Sequence, residues 1–132
     1  MVGDKYKILL IDDDKFLLDV HSRKFRDGGH EVVTAMSGQK ALELLRGEEK
    51  FDAVLLDLVM PSMDGIELLE KIRTEGLAED SAIIVFSNQD QSTDIEKAKK
   101  FNIAGYIVKA SAVPSEVLAE VAEIVKAYKE KS

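Results

Sequence analysis

Chemically active side chains follow directly after apolar runs at four points of this 132-residue sequence. They are Asp12 with Asp13, then Asp57, Ser87 and Lys109. An apolar run that ends at a polar residue is typical of a strand buried on both faces of a parallel sheet. The carboxyl ends of parallel strands meet at one edge, where open α/β sheets bind their ligands. We therefore expect these side chains to lie close together.

Three carboxylates at one edge would repel one another, by about 3 kcal/mol for two charges about 5 Å apart at an effective dielectric near 20. Such a cluster needs a cation or a protonated member. Oxygen ligands without a neighbouring histidine favour Mg²⁺ or Mn²⁺ over zinc. A carboxylate beside a metal and the Lys109 ammonium is suited to attack phosphorus and form an aspartyl phosphate. Asp57 alone would also fit a strand-ending turn, but its expected neighbours favour a nucleophile.

The pattern between these points predicts five strands that alternate with five helices. The strands are expected at 6–12, 31–35, 53–56, 82–86 and 105–108, and helices at 15–27, 38–46, 65–75, 93–101 and 114–128, with Asp14, Ser37 and Asp64 as N-caps. Short connections predict a parallel sheet with helices on both faces. The first, third and fourth strands are the most apolar, which gives the order 2-1-3-4-5. His21 falls on the apolar face of the first helix, where a packed histidine is expected.

Composition narrows the class of protein. The length fits a single domain over residues 1–132, and 45% hydrophobic residues suffice for a core. The absence of cysteine excludes disulfides and thiolate sites. A net charge of −7 argues against direct binding to nucleic acid. The sequence has no apolar run of membrane-spanning length and no signal peptide. A soluble cytoplasmic protein is therefore expected.

Four stretches together resemble the receiver domain of two-component response regulators. They are Ile-Leu-Leu-Ile-Asp-Asp-Asp at 8–14, Val-Leu-Leu-Asp-Leu-Val-Met-Pro-Ser-Met-Asp-Gly at 54–65, Ile-Ile-Val-Phe-Ser at 83–87 and Ala-Gly-Tyr-Ile-Val-Lys at 104–109. Each motif alone is weak, whereas all four in this order and spacing are specific. The resemblance covers about residues 5–128 and implies the α/β, flavodoxin-like fold of CheY.

The resemblance implies that Asp57 is the phosphoacceptor of a phosphorelay, with a histidine kinase or phosphotransfer protein as the donor. It also implies that Asp12 and Asp13 are the Mg²⁺ pair. Asp57 and the backbone carbonyl of Val59 would complete the protein ligands of this metal. A receiver of this kind phosphorylates and dephosphorylates itself, and it is a signalling domain rather than a conventional enzyme.

The resemblance further implies that Ser87 and Tyr106 are switch residues and that Lys109 pairs with the phosphoryl group. The output partner is expected on the face formed by the fourth helix, the fifth strand and the fifth helix. Two positions depart from the family pattern. Ala110 stands where a proline usually follows the lysine, and Asn88 stands where a small residue usually follows the switch hydroxyl. Both changes bear on the rates of phosphorylation and hydrolysis.

Three alternatives stay open at this point. The first is a receiver-fold scaffold that phosphate does not control. The second is a phosphohydrolase that uses Asp57 as its nucleophile, which is disfavoured because such enzymes place a second aspartate where this chain has Val59. The third is a flavodoxin-like flavin binder, which is disfavoured because the acidic loop at 12–15 would repel the flavin phosphate.

Overall fold

The computed structural model describes residues 5–88, 92–109 and 113–131. Its five strands are Lys7–Ile11 (β1), Glu31–Ala35 (β2), Ala53–Leu56 (β3), Ala82–Ser87 (β4) and Gly105–Val108 (β5). All four neighbouring pairs are parallel, and the sheet has the order β2-β1-β3-β4-β5. This confirms the predicted fold class and strand order. The order reverses between β1 and β3, so the carboxyl ends of these two strands flank the crevice of the sheet.

Four helices connect the strands, and a fifth follows β5. They are Lys15–Asp27 (α1), Gly38–Arg46 (α2), Gly65–Thr74 (α3), Ser92–Ala98 (α4) and Pro114–Lys131 (α5). The three predicted N-caps accept hydrogen bonds from backbone N–H groups, Asp14 from Leu17 at 3.2 Å, Ser37 from Lys40 at 3.1 Å and Asp64 from Glu67 at 2.9 Å. These bonds satisfy N–H groups that have no partner within the helix.

Each face of the sheet carries its own apolar core. Buried residues of α2, α3 and α4 pack against one face, and those of α1 and α5 pack against the other. β1, β3 and β4 are buried along nearly their whole length, whereas β2 and β5 are partly exposed. The predicted central position of strands 1, 3 and 4 is confirmed, and these strands hold the site rigidly between two layers of helices.

Two helix ends differ from the prediction. The sequence predicts that the tail at 129–132 frays, but α5 continues to Lys131, and Lys129 Nζ lies 2.7 Å from Asp52 Oδ1. Ser132 lies outside the described residues. The α4 segment becomes a 3₁₀ turn at Lys99–Phe101, because Asn102 adopts a left-handed conformation with φ of 57° and ends the helix. Among the described helices, none is both long and apolar enough to cross a membrane.

Candidate functional site

A buried charge cluster lies at the carboxyl edge of the sheet. Asp12 follows β1, Asp57 follows β3 and Lys109 follows β5. Lys109 Nζ lies 2.7 Å from Asp12 Oδ2 and 3.1 Å from Asp57 Oδ2. Asp12 and Asp57 are only 5% and 6% exposed, so their interactions with the ammonium are weakly screened by water. The strand ends thus bring together the acids and the lysine that the sequence predicts.

The loop backbone fixes the orientation of both carboxylates. The N–H of Asp14 donates to Asp12 Oδ1 at 2.9 Å, and the N–H of Val59 donates to Asp57 Oδ1 at 3.2 Å. Each carboxylate therefore gives one oxygen to a backbone N–H two residues on, as in an Asx turn, and the other to Lys109. Because a carboxylate oxygen has more than one lone pair, these bonds leave capacity for a further ligand.

Gly65 allows the loop after Asp57 to return to the sheet. Its N–H donates to the carbonyl of Leu58 at 2.8 Å. A Cβ atom on Gly65 would lie 2.5 Å from the carbonyl oxygen of Asp57 and 2.6 Å from the Cα of Leu58. Such distances leave no room for any side chain. No role was predicted for Gly65 from the sequence, although a glycine directly after the N-cap Asp64 can indicate a close approach of two backbone segments.

The surroundings of the site raise the pKa values of both Asp57 and Lys109. Burial raises the pKa of Asp57 above its usual range, and Asp12 adds to this effect, while Lys109 and the N–H of Val59 act in the opposite direction. Burial by itself lowers the pKa of Lys109. The hydrogen bonds and charges of Asp12 and Asp57 outweigh burial, so the net effect is a raised pKa. Lys109 thus remains an ammonium, and this one positive charge contacts the carboxylates of both Asp12 and Asp57.

Asp13 completes an acidic cluster whose donor set fits a hard divalent cation. One carboxylate oxygen each of Asp12, Asp13 and Asp57 lies within 4.8 Å of the others. Asp13 is exposed, whereas the other two acids are buried, so the cluster is open to solvent on one side. Three carboxylates against one ammonium leave negative charge uncompensated. Oxygen ligands of this kind suit Mg²⁺ or Mn²⁺. The Val59 carbonyl as an additional ligand stays a prediction.

The two predicted switch residues lie in contrasting environments. Ser87 is fully buried, and its hydroxyl has no hydrogen-bond partner among the described residues. A buried hydroxyl without a partner costs about 1–3 kcal/mol. Tyr106 is 46% exposed, and Lys99 Nζ lies 5.7 Å from the centre of its ring. The roles of both residues stay predictions. Ala110, which departs from the family pattern, lies outside the described residues.

The chain as a whole is similar to proteins of one family. Residues 8–122 match the model of the response regulator receiver domain family. The two-component response regulator ARR12 of Arabidopsis thaliana is 36% identical over 104 residues, which cover 78% of this chain and 17% of ARR12. A chemotaxis protein CheY homolog of Campylobacter jejuni is 32% identical over 104 residues, 78% of this chain and 80% of that protein. The chemotaxis response regulator CheY4 of Vibrio cholerae superposes with a TM-score of 0.82 at 25% identity, covering 92% of this chain and 99% of CheY4.

Proposed function

Because the chain belongs to the response regulator receiver domain family, a family of signalling domains rather than a classical enzyme family, we propose that Asp57 accepts a phosphoryl group from a histidine kinase or phosphotransfer protein. The observation that carries this proposal is the position of Asp57. It is buried at the open end of the sheet and held by Lys109 and the N–H of Val59, beside two further acids.

The proposed reaction is an in-line displacement at phosphorus. A carboxylate oxygen of Asp57 attacks the phosphorus, and a new oxygen–phosphorus bond forms. The phosphorus–nitrogen bond of the phosphohistidine breaks, and its electron pair leaves with the imidazole nitrogen. No general base is needed, because the nucleophile is already an anion. The ammonium of Lys109 favours this ionised form and lies where it can reach the oxygens of the transferred group.

The acidic cluster supports a metal-dependent reaction. Asp12, Asp13 and Asp57, together with the Val59 carbonyl, would hold Mg²⁺ or Mn²⁺. When bound, such an ion supplies positive charge that offsets the charge of the transferred phosphoryl oxygens. Asp12 is oriented for this role by the N–H of Asp14, and Asp57 by the N–H of Val59, so both present fixed oxygens.

A change of conformation would follow the phosphorylation of Asp57. The buried Ser87 hydroxyl has an unused donor, and a phosphoryl group at the end of β3 would give it a partner. Movement of Ser87 would leave space for the half-exposed Tyr106 ring to turn inward. The face formed by α4, β5 and α5 would then change its affinity for an output partner.

We infer that residues 5–128 act as one receiver domain. The aligned part makes up 17% of ARR12, so functions of that whole protein do not carry over to this chain. The cytoplasmic location expected from the sequence stays a prediction.

Acetyl phosphate provides a direct test. The purified protein is incubated with acetyl phosphate with and without Mg²⁺, and its intact mass is measured. We expect wild type to gain one phosphoryl group only with the metal, and Asp57→Asn to gain none. Asp19→Asn, which changes an exposed acid paired with Lys15, should react like wild type. No gain in wild type would favour the scaffold alternative, and an equal gain in Asp57→Asn would remove Asp57 as the acceptor.

A further inference from the structure

Lys109 lies between a pair of carboxylates and an aromatic ring. Its Nζ is 2.7 Å from Asp12 and 3.1 Å from Asp57. The same Nζ is 5.6 Å from the centre of the Phe86 ring. A cation at this distance over a ring face is attracted by the negative face of the ring, most strongly where water is excluded. Phe86 is 6% exposed, so the contact is shielded from water.

His21 supports the ring of Phe86 from α1. The two ring centres are 5.1 Å apart and the ring planes are nearly perpendicular, at 89°. His21 is 6% exposed, and its Nδ1 has no hydrogen-bond partner among the described residues. Its ring packs against Phe86, and it lies close enough to the site for the charges of Asp12 and Lys109 to act on its pKa. Perpendicular aromatic pairs are favourable and fix the angle between their rings.

The space around the two rings is small. A cavity of about 10 Å³ lies beside them, lined in part by His21, Phe86 and Asp12. This volume is about that of one water-sized sphere. The two rings therefore have little free space on this side. Replacing His21 by a smaller side chain would enlarge the cavity and free the ring.

We propose that Phe86 and His21 are positioning residues for Lys109. The ring face of Phe86 holds the ammonium where it contacts both carboxylates, and His21 fixes the angle of that ring. A lysine side chain has a long flexible stem, and Asp12 holds its ammonium at a shorter distance than Asp57 does. The consequence for phosphoryl transfer rests on the function proposed above. In that reaction, the rings of Phe86 and His21 would keep Lys109 directed toward Asp57 while the charge on Asp57 changes.

Urea unfolding tests the positioning itself and does not depend on phosphorylation. Phe86→Leu and Lys109→Met are made singly and together. Each variant changes the equilibrium constant for unfolding by some factor. We expect the factor for the double variant to be about threefold to tenfold smaller than the product of the factors for the two single variants. Phe86→Tyr, which keeps the ring face, should retain the coupling with Lys109→Met. Effects that simply multiply would overturn the proposal.

The rate of phosphorylation by acetyl phosphate tests the consequence. Phe86→Leu and His21→Leu should each slow the reaction by about threefold to tenfold, and Phe86→Tyr should restore most of the rate. Neither change should slow it further in the Lys109→Met background, and His21→Leu should have no effect once Phe86 is Leu. Phe25→Leu is a matched control, because Phe25 is also buried against a histidine, His30, near the start of β1.

The outcomes separate this inference from the proposed function. Equal slowing by Phe86→Leu in the wild-type and Lys109→Met backgrounds would mean a general packing effect and would overturn the positioning role. If wild type gains no phosphoryl group, the proposed function fails, and the unfolding measurements alone decide whether Phe86 and His21 position Lys109.

Discussion

Replacing Lys109 by Met removes an ammonium group that lies between the buried carboxylates of Asp12 and Asp57. The carboxylates of Asp12 and Asp57 then remain with oxygens within 4.8 Å of each other. At an effective dielectric near 20, two unit charges at this distance repel by about 3.5 kcal/mol. We expect Lys109→Met to lower the free energy of unfolding by about 2–3 kcal/mol at neutral pH without metal, because relaxation relieves part of this repulsion.

The pH dependence of this loss gives a sharper test. Burial already raises the pKa of Asp57, and loss of the Lys109 ammonium would raise it further. A carboxyl group with a raised folded-state pKa is most favourable to folding while protonated, and that contribution is lost as pH rises through the folded-state pKa. The difference in stability between wild type and Lys109→Met should therefore be small at about pH 4 and should grow toward neutral pH.

Urea unfolding followed by circular dichroism at several pH values measures this difference. Lys15→Met is a suitable control, since Lys15 is exposed and pairs with Asp19 at 3.4 Å on the surface. Such a surface pair contributes little to stability. A loss for Lys109→Met that is no larger than that of the control, or that does not depend on pH, would refute the electrostatic reasoning.

Three further predictions concern the acid cluster, a second histidine and a glycine. Asp57→Asn should raise the free energy of unfolding without metal, because burial disfavours the charged carboxylate more than its pairing with Lys109 favours it. Mg²⁺ should then stabilise wild type more than this variant in thermal melts, and equal effects would argue against Asp57 as a ligand. His30 Nδ1 accepts a hydrogen bond from the N–H of Tyr6 at 3.0 Å, and burial lowers the pKa of His30. The contribution of His30 to stability is therefore present above about pH 6.5 and is lost as pH falls below that value. His30→Gln should flatten this part of the curve of unfolding free energy against pH, and an unchanged slope would contradict the assignment. Gly65→Ala should cost about 1–3 kcal/mol or more in urea unfolding, because its Cβ would lie 2.5 Å from the Asp57 carbonyl oxygen; a neutral effect would show that the loop can shift.

The fold could be predicted from the sequence because its signals are local and agree with one another. Four-residue apolar runs such as 53–56 identified the central strands, and Asp14, Ser37 and Asp64 marked the starts of helices. Short connections restrict the sheet to few topologies. The convergence of Asp12, Asp57 and Lys109 then followed from the common direction of parallel strands. For these residues, the position along the chain determines the position in space.

Other features depend on contacts between distant segments and leave no local pattern. The helix α5 continues to Lys131, beyond the end predicted at residue 128, and Lys129 pairs with Asp52, which lies 77 positions earlier in the chain. The contact of Phe86 with Lys109 depends on the direction of a side chain at the end of β4. Apolar periodicity only indicates that Phe86 is buried. The missing partner of the Ser87 hydroxyl is likewise visible only once its surroundings are known.

The most direct test of the central claim is to locate the phosphoryl group. The protein is incubated with acetyl phosphate and Mg²⁺, the acyl phosphate is reduced with borohydride, and the modified residue is identified by mass spectrometry of peptides. An aspartyl phosphate is converted to homoserine by this treatment. We predict homoserine at position 57 and unmodified aspartate at positions 12 and 13. Modification at Asp12 or Asp13 in place of Asp57, or at no aspartate, would contradict it.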